Sequence, residues 1–371
     1  MNGRERFQRV LRYQPVDRVP NFEVGVMRET LTAWLAQGMP KNTGITRKSI
    51  ITFNGNDFFG QDRQMCLGVN LGLIPRFSRR ILQDDGRLIT VRTPSGIVVR
   101  AMRDNSCMPQ YLTWPVRNRQ DFESIRKRHN PLSPKRYPSD WPDVVAKAAA
   151  ADCPVWGPGV GSIGFFSRIR DWMGTENACT IFYDDPALAH EMCGFIADFA
   201  LETLKKALAE ARMDYFSWWE DFSFKTGPLI SPATFKEFLA PHYRRVNDAL
   251  RRAGVNNILL DTDGDPRVML RPLLDVGVNG TCPMEQCNPS MSPVALRREF
   301  GRELWLLGGI DKRILALDRK AIDRELESKL PPLLAEGGYI PTLDHLAQPE
   351  IPYANWLYYL ERKKRLLEGK G

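Results

Sequence analysis

At 371 residues the chain is longer than a typical domain of about 150, yet barrels of alternating strands and helices hold about 250 or more residues in one unit, so its length suits a single decorated domain over 1–371. A composition of 43% hydrophobic, 26% charged and 10% aromatic residues is that of a folded globular protein and excludes bulk disorder. The formal charge of +8 is dispersed: Arg126 to Arg128, Arg251 with Arg252, and Arg362 to Arg365 fall in helix-like segments whose solvated faces account for them, and no block interleaves basic and aromatic residues, so a nucleic-acid partner is not expected.

The opening carries Arg4, Arg6, Arg9 and Arg12 with no apolar segment behind them, which is not a secretory signal, and it reads as a helical extension. Eight short apolar runs then read as strands: Val19 to Val24, Ile51 to Phe59, Val155 to Gly157, Tyr215 to Trp219, Ile258 to Asp261, Val278 to Cys282, Leu304 to Leu307 and Gly338 to Leu343. Residues 80–101 alternate apolar and polar around Asp85-Gly86 and Pro94-Ser95-Gly96, predicting an antiparallel hairpin insertion of two or three strands. From Arg126 to Pro142 the prolines, serines and charges predict an irregular surface connection. The longest uncharged run, Cys153 to Ser167, is broken by prolines and glycines and falls short of the roughly 20 apolar residues of a membrane span. Asp185-Pro186, Ser231-Pro232 and Ser292-Pro293 each place a capping side chain before a proline suited to the first helical position. The helix after Pro186 runs towards Arg212 and presents Leu188, Met192, Ile196, Phe199 and Leu204 to a sheet. Seven cysteines, odd in number and scattered, argue for reduced thiols in a cytoplasmic compartment.

Six strand-helix units from residue 154 onward, preceded by two more strands, predict an α/β fold in which a parallel sheet closes into a (β/α)8 TIM-type barrel. The Gly-x-Gly-x-x-Gly turn of a dinucleotide fold does not follow the first strand. In such a barrel the chemistry sits at the strand ends. The polar residues there are Glu23, Asp57, Asp62, Glu220, Asp221, Asp261, Asp263, Glu285, Asp311, Asp344 and His345, an acidic ring on a basic protein that points to a metal or proton-transfer site. Helix capping explains Asp185 and Asp311. Asp261 and Asp263 are alternate residues at one strand end and aim together into the mouth, where two carboxylates repel unless a cation or proton lies between them; a turn with capping aspartates is the alternative. A helix-loop-helix calcium loop is excluded, because Pro266 and Pro272 fall where glycine and glutamate are required. Of the four histidines, His129 lies in a charged loop, His190 in the long helix and His242 after Pro241, which leaves His345 past a strand. Cys282 and Cys287 lack zinc-knuckle spacing and read as core or loop thiols, with a place facing the cavity the alternative for Cys282 at its strand end. Tyr215 to Trp219 is too aromatic for one face, so its residues alternate inward and outward, with Trp218 expected on the substrate.

Four segments together resemble the uroporphyrinogen decarboxylase superfamily: Arg4-Glu5-Arg6-Phe7 with Asp17-Arg18-Val19-Pro20; Leu229-Ile230-Ser231-Pro232 to Pro241; Gly308-Gly309-Ile310-Asp311; and Gly337-Gly338-Tyr339-Ile340 to Asp344-His345 with Pro349. That superfamily includes the decarboxylase and the zinc methyltransferases of corrinoid and coenzyme M metabolism, and the resemblance implies the same barrel. In the decarboxylase a Met-Arg-Gln-Ala-Gly-Arg-Tyr segment supplies two arginines for substrate carboxylates; Met27 to Ala33 keeps the first as Arg28 and has Thr32 at the second. Asp62 corresponds to the aspartate that holds the pyrroles, and His345 to the terminal histidine. The methyltransferases bind zinc through a His-x-Cys motif and a late cysteine, positions that fall here on Asp261-Thr262-Asp263 and His345, so the resemblance implies a divalent metal, zinc, on Asp261, Asp263 and His345. It further implies a metal-dependent methyltransferase for a small O- or N-methylated substrate, with Glu220 or Glu285 as proton donor or positioning group, Asp221, Trp218 and Cys282 against the substrate, and a corrinoid protein as methyl carrier. The alternative is a cofactor-free decarboxylase in which Arg28 binds a carboxylate while Asp62 and His345 assist protonation. A third reading is a catalytically silent ligand-binding barrel.

Overall fold

The computed structural model describes residues 1–45, 54–103, 108–160 and 163–369. Seven strands, β1 (Met65–Cys66), β2 (Val155–Gly157), β3 (Tyr215–Trp219), β4 (Ile258–Thr262), β5 (Gly280–Pro283), β6 (Trp305–Leu307) and β7 (Tyr339–Ile340), follow one another across one sheet in chain order, every neighbouring pair parallel. Helices connect successive strands, as parallel neighbours require. This is the TIM-type fold expected from the strand count.

The first two expected strands are corrected. Val19 to Val24 is extended but forms no ladder; the segment closes the ring through isolated contacts, Ala347 N–H to Gly25 O (2.9 Å) and Met27 N–H to Ala347 O (3.1 Å) on the β7 side, and Asp62 N–H to Asn21 O (2.9 Å) on the β1 side. Within Ile51 to Phe59, residues 51–53 lie outside the described residues, and the rest is a turn followed by a single 3-10 turn, Asp57–Phe59. Asn56 caps that turn through the Phe59 N–H (3.0 Å), and Gly55 and Gly60 take positive φ angles on either side, so the local chemistry bends the chain where its apolar content suggested a strand. The barrel strand is instead the short Met65–Cys66.

The N-terminal helix Gly3–Leu11 plugs the bottom of the barrel. Its Phe7 packs on Tyr215 (ring centroids 5.3 Å apart) and edge-on to Trp305, and Tyr215 stacks on Trp156. These inward residues, with Leu259 and Ile340, fill the lower interior and leave the C-terminal end of the strands open. Gly280 makes room for the plug, since a Cβ there would enter the Trp305 indole. Gly280→Ala is expected to cost about 1–3 kcal/mol through overpacking, measured as a fall in the denaturant midpoint.

Asp185 caps the helix Pro186–Glu210 through the Leu188 N–H (2.9 Å), and Ser231 caps the turn at Pro232 through the Thr234 N–H (3.0 Å), both where the sequence places them. The insertion is larger than expected: four antiparallel strands in consecutive order, Arg80–Asp84, Leu88–Arg92, Val98–Met102 and Gln110–Thr113. Two basic residues read as solvent-facing are in fact buried. Lys363, on the helix Tyr353–Leu367, is 0% exposed and pairs with Glu23 while donating to Phe22 O (2.7 Å). Arg136, in the expected irregular connection, donates to Asn130 O (2.9 Å) and Asn70 O (3.0 Å) from full burial. His129 is likewise packed among Trp172, Phe195 and Phe199, where burial pushes it down to about 3. Among the described residues, no helix is long and apolar enough to cross a membrane.

Candidate active site

A cavity of about 310 Å³ occupies the open end of the barrel. Its floor follows from strand register. Asp261 stands beside Trp219 of β3 and beside Cys282 of β5, so three neighbouring strands present an indole, a carboxyl group and a thiol in one row. Because side chains alternate along a strand, Trp219 shares the inward face of Tyr215, and Asp261 that of Leu259. Gln64, next to β1, accepts the Tyr215 hydroxyl (2.6 Å) and adds an amide to the wall. Asp263 and His345 complete the rim, with His345 Nε2 3.9 Å from Asp263 Oδ2.

The electrostatics are those of a proton reservoir. Burial, reinforced by the charge of Asp263, pushes the Asp261 carboxyl up to about 7, while the hydrogen bond from the Cys282 thiol acts in the opposite direction. Burial first, and the neighbouring carboxyl second, hold that thiol far above the ordinary range, so Cys282 is a neutral donor and not a thiolate. Burial also raises Asp263, opposed by the imidazole of His345 and assisted by Asp221 and Glu285. Among the described residues, no arginine or lysine lines this cavity.

The loops that carry these groups are fixed by other acids. Asp344 accepts the Gln286 N–H (2.9 Å) and the Lys312 N–H (3.0 Å), anchoring the turn that presents His345. Glu285 accepts Lys312 Nζ (3.0 Å) and the Gly264 N–H (3.1 Å), tying the loop after β5 to the loop bearing Asp263. Burial alone would raise Glu285, but Lys312 holds it below the usual range, which leaves it an anion and a poor proton donor.

Several expected site residues have other places. Trp218 points outward, donating to Asn247 Oδ1 (2.9 Å) and packing on Tyr243, so Trp219 takes the position against the cavity. Glu220 lies wholly buried below the helix Phe165–Met173 and accepts its Phe166 N–H (2.5 Å); burial pushes it up to about 8, but it does not line the cavity. Asp62 is gripped by both terminal nitrogens of Arg18 (2.6 and 2.7 Å) and takes the Asn21 N–H (2.8 Å), sealing the barrel seam. Asp221 pairs with Arg170 (2.6 Å). Arg28 is exposed at the start of the helix Arg28–Ala36, away from the cavity lining. Sequence reasoning missed Gln64, which follows no periodic segment, and chose the wrong one of two adjacent tryptophans although parity with Tyr215 favours Trp219.

The resemblance places zinc on Asp261, Asp263 and His345, and all three line this cavity. Among the described residues no group of three His, Cys, Asp or Glu side chains is placed to hold a metal ion, and the donors of the cavity are split into the Asp263–His345 and Asp261–Cys282 pairs.

Residues 95–366 match the family described as uroporphyrinogen decarboxylase (URO-D). The chain belongs to that family. A solved methyltransferase from Methanosarcina mazei is similar in structure, with a TM-score of 0.62 and 15% identity over 98% of this chain and 99% of that one, a likeness of fold. No curated protein matches the chain. Membership in the uroporphyrinogen decarboxylase family supports an enzyme.

Proposed function

We propose that this uroporphyrinogen decarboxylase-like enzyme transfers a methyl group from a small O- or N-methylated substrate, using Asp261 as the acid that protonates the heteroatom left behind. The observation that carries this reading is a cavity lined by Asp261 and Asp263, whose protonated forms burial favours, and, among the described residues, by no arginine or lysine. A carboxylated substrate requires guanidinium or ammonium partners when it is buried, and none of the described residues lining these walls supplies one. A neutral methyl ether, or a methylated amine bound as its free base, is compatible with them, and its heteroatom needs a proton when the carbon bond breaks. The Trp219 face holds the methyl-bearing end, and Cys282 and Gln64 orient the acid and the substrate. His345, beside Asp263 at the rim, replaces the proton that Asp261 gives up.

In this reading the methyl acceptor is a corrinoid carried by a partner protein, which meets the substrate at the mouth; a macrocycle is too large for a cavity of about 310 Å³. The reaction would balance with a reduced acceptor that supplies the electron pair for the new bond to the methyl carbon, the pair of the broken carbon–heteroatom bond staying on the heteroatom, which takes the Asp261 proton. Decarboxylation, the activity in the family's name, uses the same acid to quench a carbanion, so the two readings separate on the substrate. Incubation with uroporphyrinogen is expected to yield no coproporphyrinogen above background, read by chromatography of the oxidised porphyrins. Clear turnover would restore the decarboxylase reading and remove the methyltransferase one.

A further inference from the structure

Between the inserted sheet and the barrel lies a second cavity, of about 390 Å³, that shares no lining residue with the first. Three arginines from separate segments line it: Arg92 at the end of an insertion strand, Arg117 before the helix Arg119–Arg126, and Arg128 after it. Arg128 lies 3.9 Å from the ring centroid of Phe77 and donates to Pro75 O (2.9 Å), which fixes its guanidinium plane. Arg92 lies over the same ring at 5.9 Å and reaches Ser78 O only at 3.4 Å. Neither makes an ion pair with a carboxylate among the described residues. Among the described residues the one acid on the lining, Asp121, meets Arg117 at 3.3 Å and also accepts the Arg117 backbone N–H (3.1 Å).

Elsewhere on this protein arginines at element junctions are matched by acids, as in Arg18–Asp62, Arg170–Asp221 and Arg362–Asp323. Here, among the described residues, one carboxylate faces three guanidinium groups, and the segment from Arg76 to Arg117 carries eight arginines and three aspartates. Like charges held at one cavity are repulsive unless an anion joins them. Guanidinium forks match the several acceptor oxygens of a phosphate group, and the volume lies within the roughly 300–1,000 Å³ of small-molecule sites.

We propose that this cavity binds a phosphate-bearing small molecule that bridges the insertion to the helix Arg119–Arg126, apart from the barrel mouth. Such a ligand stabilises the folded chain by mass action. The test is a thermal-unfolding and calorimetric titration of the full chain at constant ionic strength with inorganic phosphate, pyrophosphate and AMP, with citrate as the carboxylate control. Saturable binding of a phosphate probe with a rise in Tm is expected, citrate being without effect. Stronger binding of AMP than of the inorganic probes identifies a nucleoside phosphate as the source, and the reverse identifies free phosphate. Arg92→Gln with Arg117→Gln is expected to weaken binding by at least about tenfold while leaving the unliganded Tm unchanged. Arg117→Gln alone, at a side chain 78% exposed, keeps the fold secure and is expected to show part of the same loss. No saturable binding of any phosphate probe, equal binding by the double variant, or citrate binding as tightly as phosphate would each overturn the proposal.

Discussion

Asp261→Asn lowers turnover by about 10²–10⁴-fold, the contribution expected of a positioned general acid, with substrate affinity near that of the unaltered enzyme and with matching stability at acidic pH. Asparagine is close in shape to the protonated carboxyl group that burial favours here, so the Trp219 and Cys282 contacts survive while the transferable proton is lost. The pH dependence has a definite sign. The donor is the protonated form of a group raised to about 7, so turnover falls as pH rises through about 7, and this limb disappears in the variant. Stability follows the same group. Its folded pKa lies above the unfolded value of 3.8, so its stabilising contribution is complete below that value and is lost as pH rises towards about 7. Asp261→Asn therefore flattens the decline of stability between those limits. Rates and denaturant midpoints measured across this range check both statements.

Lys363→Ala destabilises the fold by about 3–5 kcal/mol, because it leaves a buried carboxylate without its counter-charge. Glu23 and Lys363 are 1% and 0% exposed at their side chains, and Glu23 also accepts the Tyr359 hydroxyl (2.6 Å) and the Leu343 N–H (3.0 Å). One pair thus joins the C-terminal helix, the segment that closes the barrel and the approach to His345. Glu23→Gln with Lys363→Met removes both charges and is expected to recover most of the loss in equilibrium unfolding. A loss as large in the double variant as in Lys363→Ala would show that packing, and not the unpaired charge, sets the cost.

The legible part of the fold is the part with strong local chemistry. β3 to β7 are apolar runs bounded by turns, and Asp185 and Ser231 announce their helices by capping. The first barrel strand is two residues long and carries no readable pattern, so the longer apolar run before it reads as the strand instead. Lys363 and Arg136 sit among charges in the sequence, and their burial depends on partners hundreds or tens of residues away. At the site, Asp261, Asp263, Cys282 and His345 were legible because each stands at a strand end. Glu220, Asp62 and Asp221 stand at similar positions but are spent on a helix terminus and on arginine partners, a distinction made by tertiary contacts alone.

Methylation of free reduced cobalamin by a panel of small methyl ethers and methylated amines, followed by the cobalt absorbance change and by mass spectrometry of the demethylated product, tests the central claim most directly. The proposed chemistry predicts enzyme-dependent methylcobalamin with at least one substrate, in step with demethylated product, and its near-complete loss in Asp261→Asn. Methyl transfer that proceeds equally in Asp261→Asn would contradict the role given to that acid, and carbon dioxide release from carboxylated substrates with no methyl transfer from any of the panel would contradict the assignment itself.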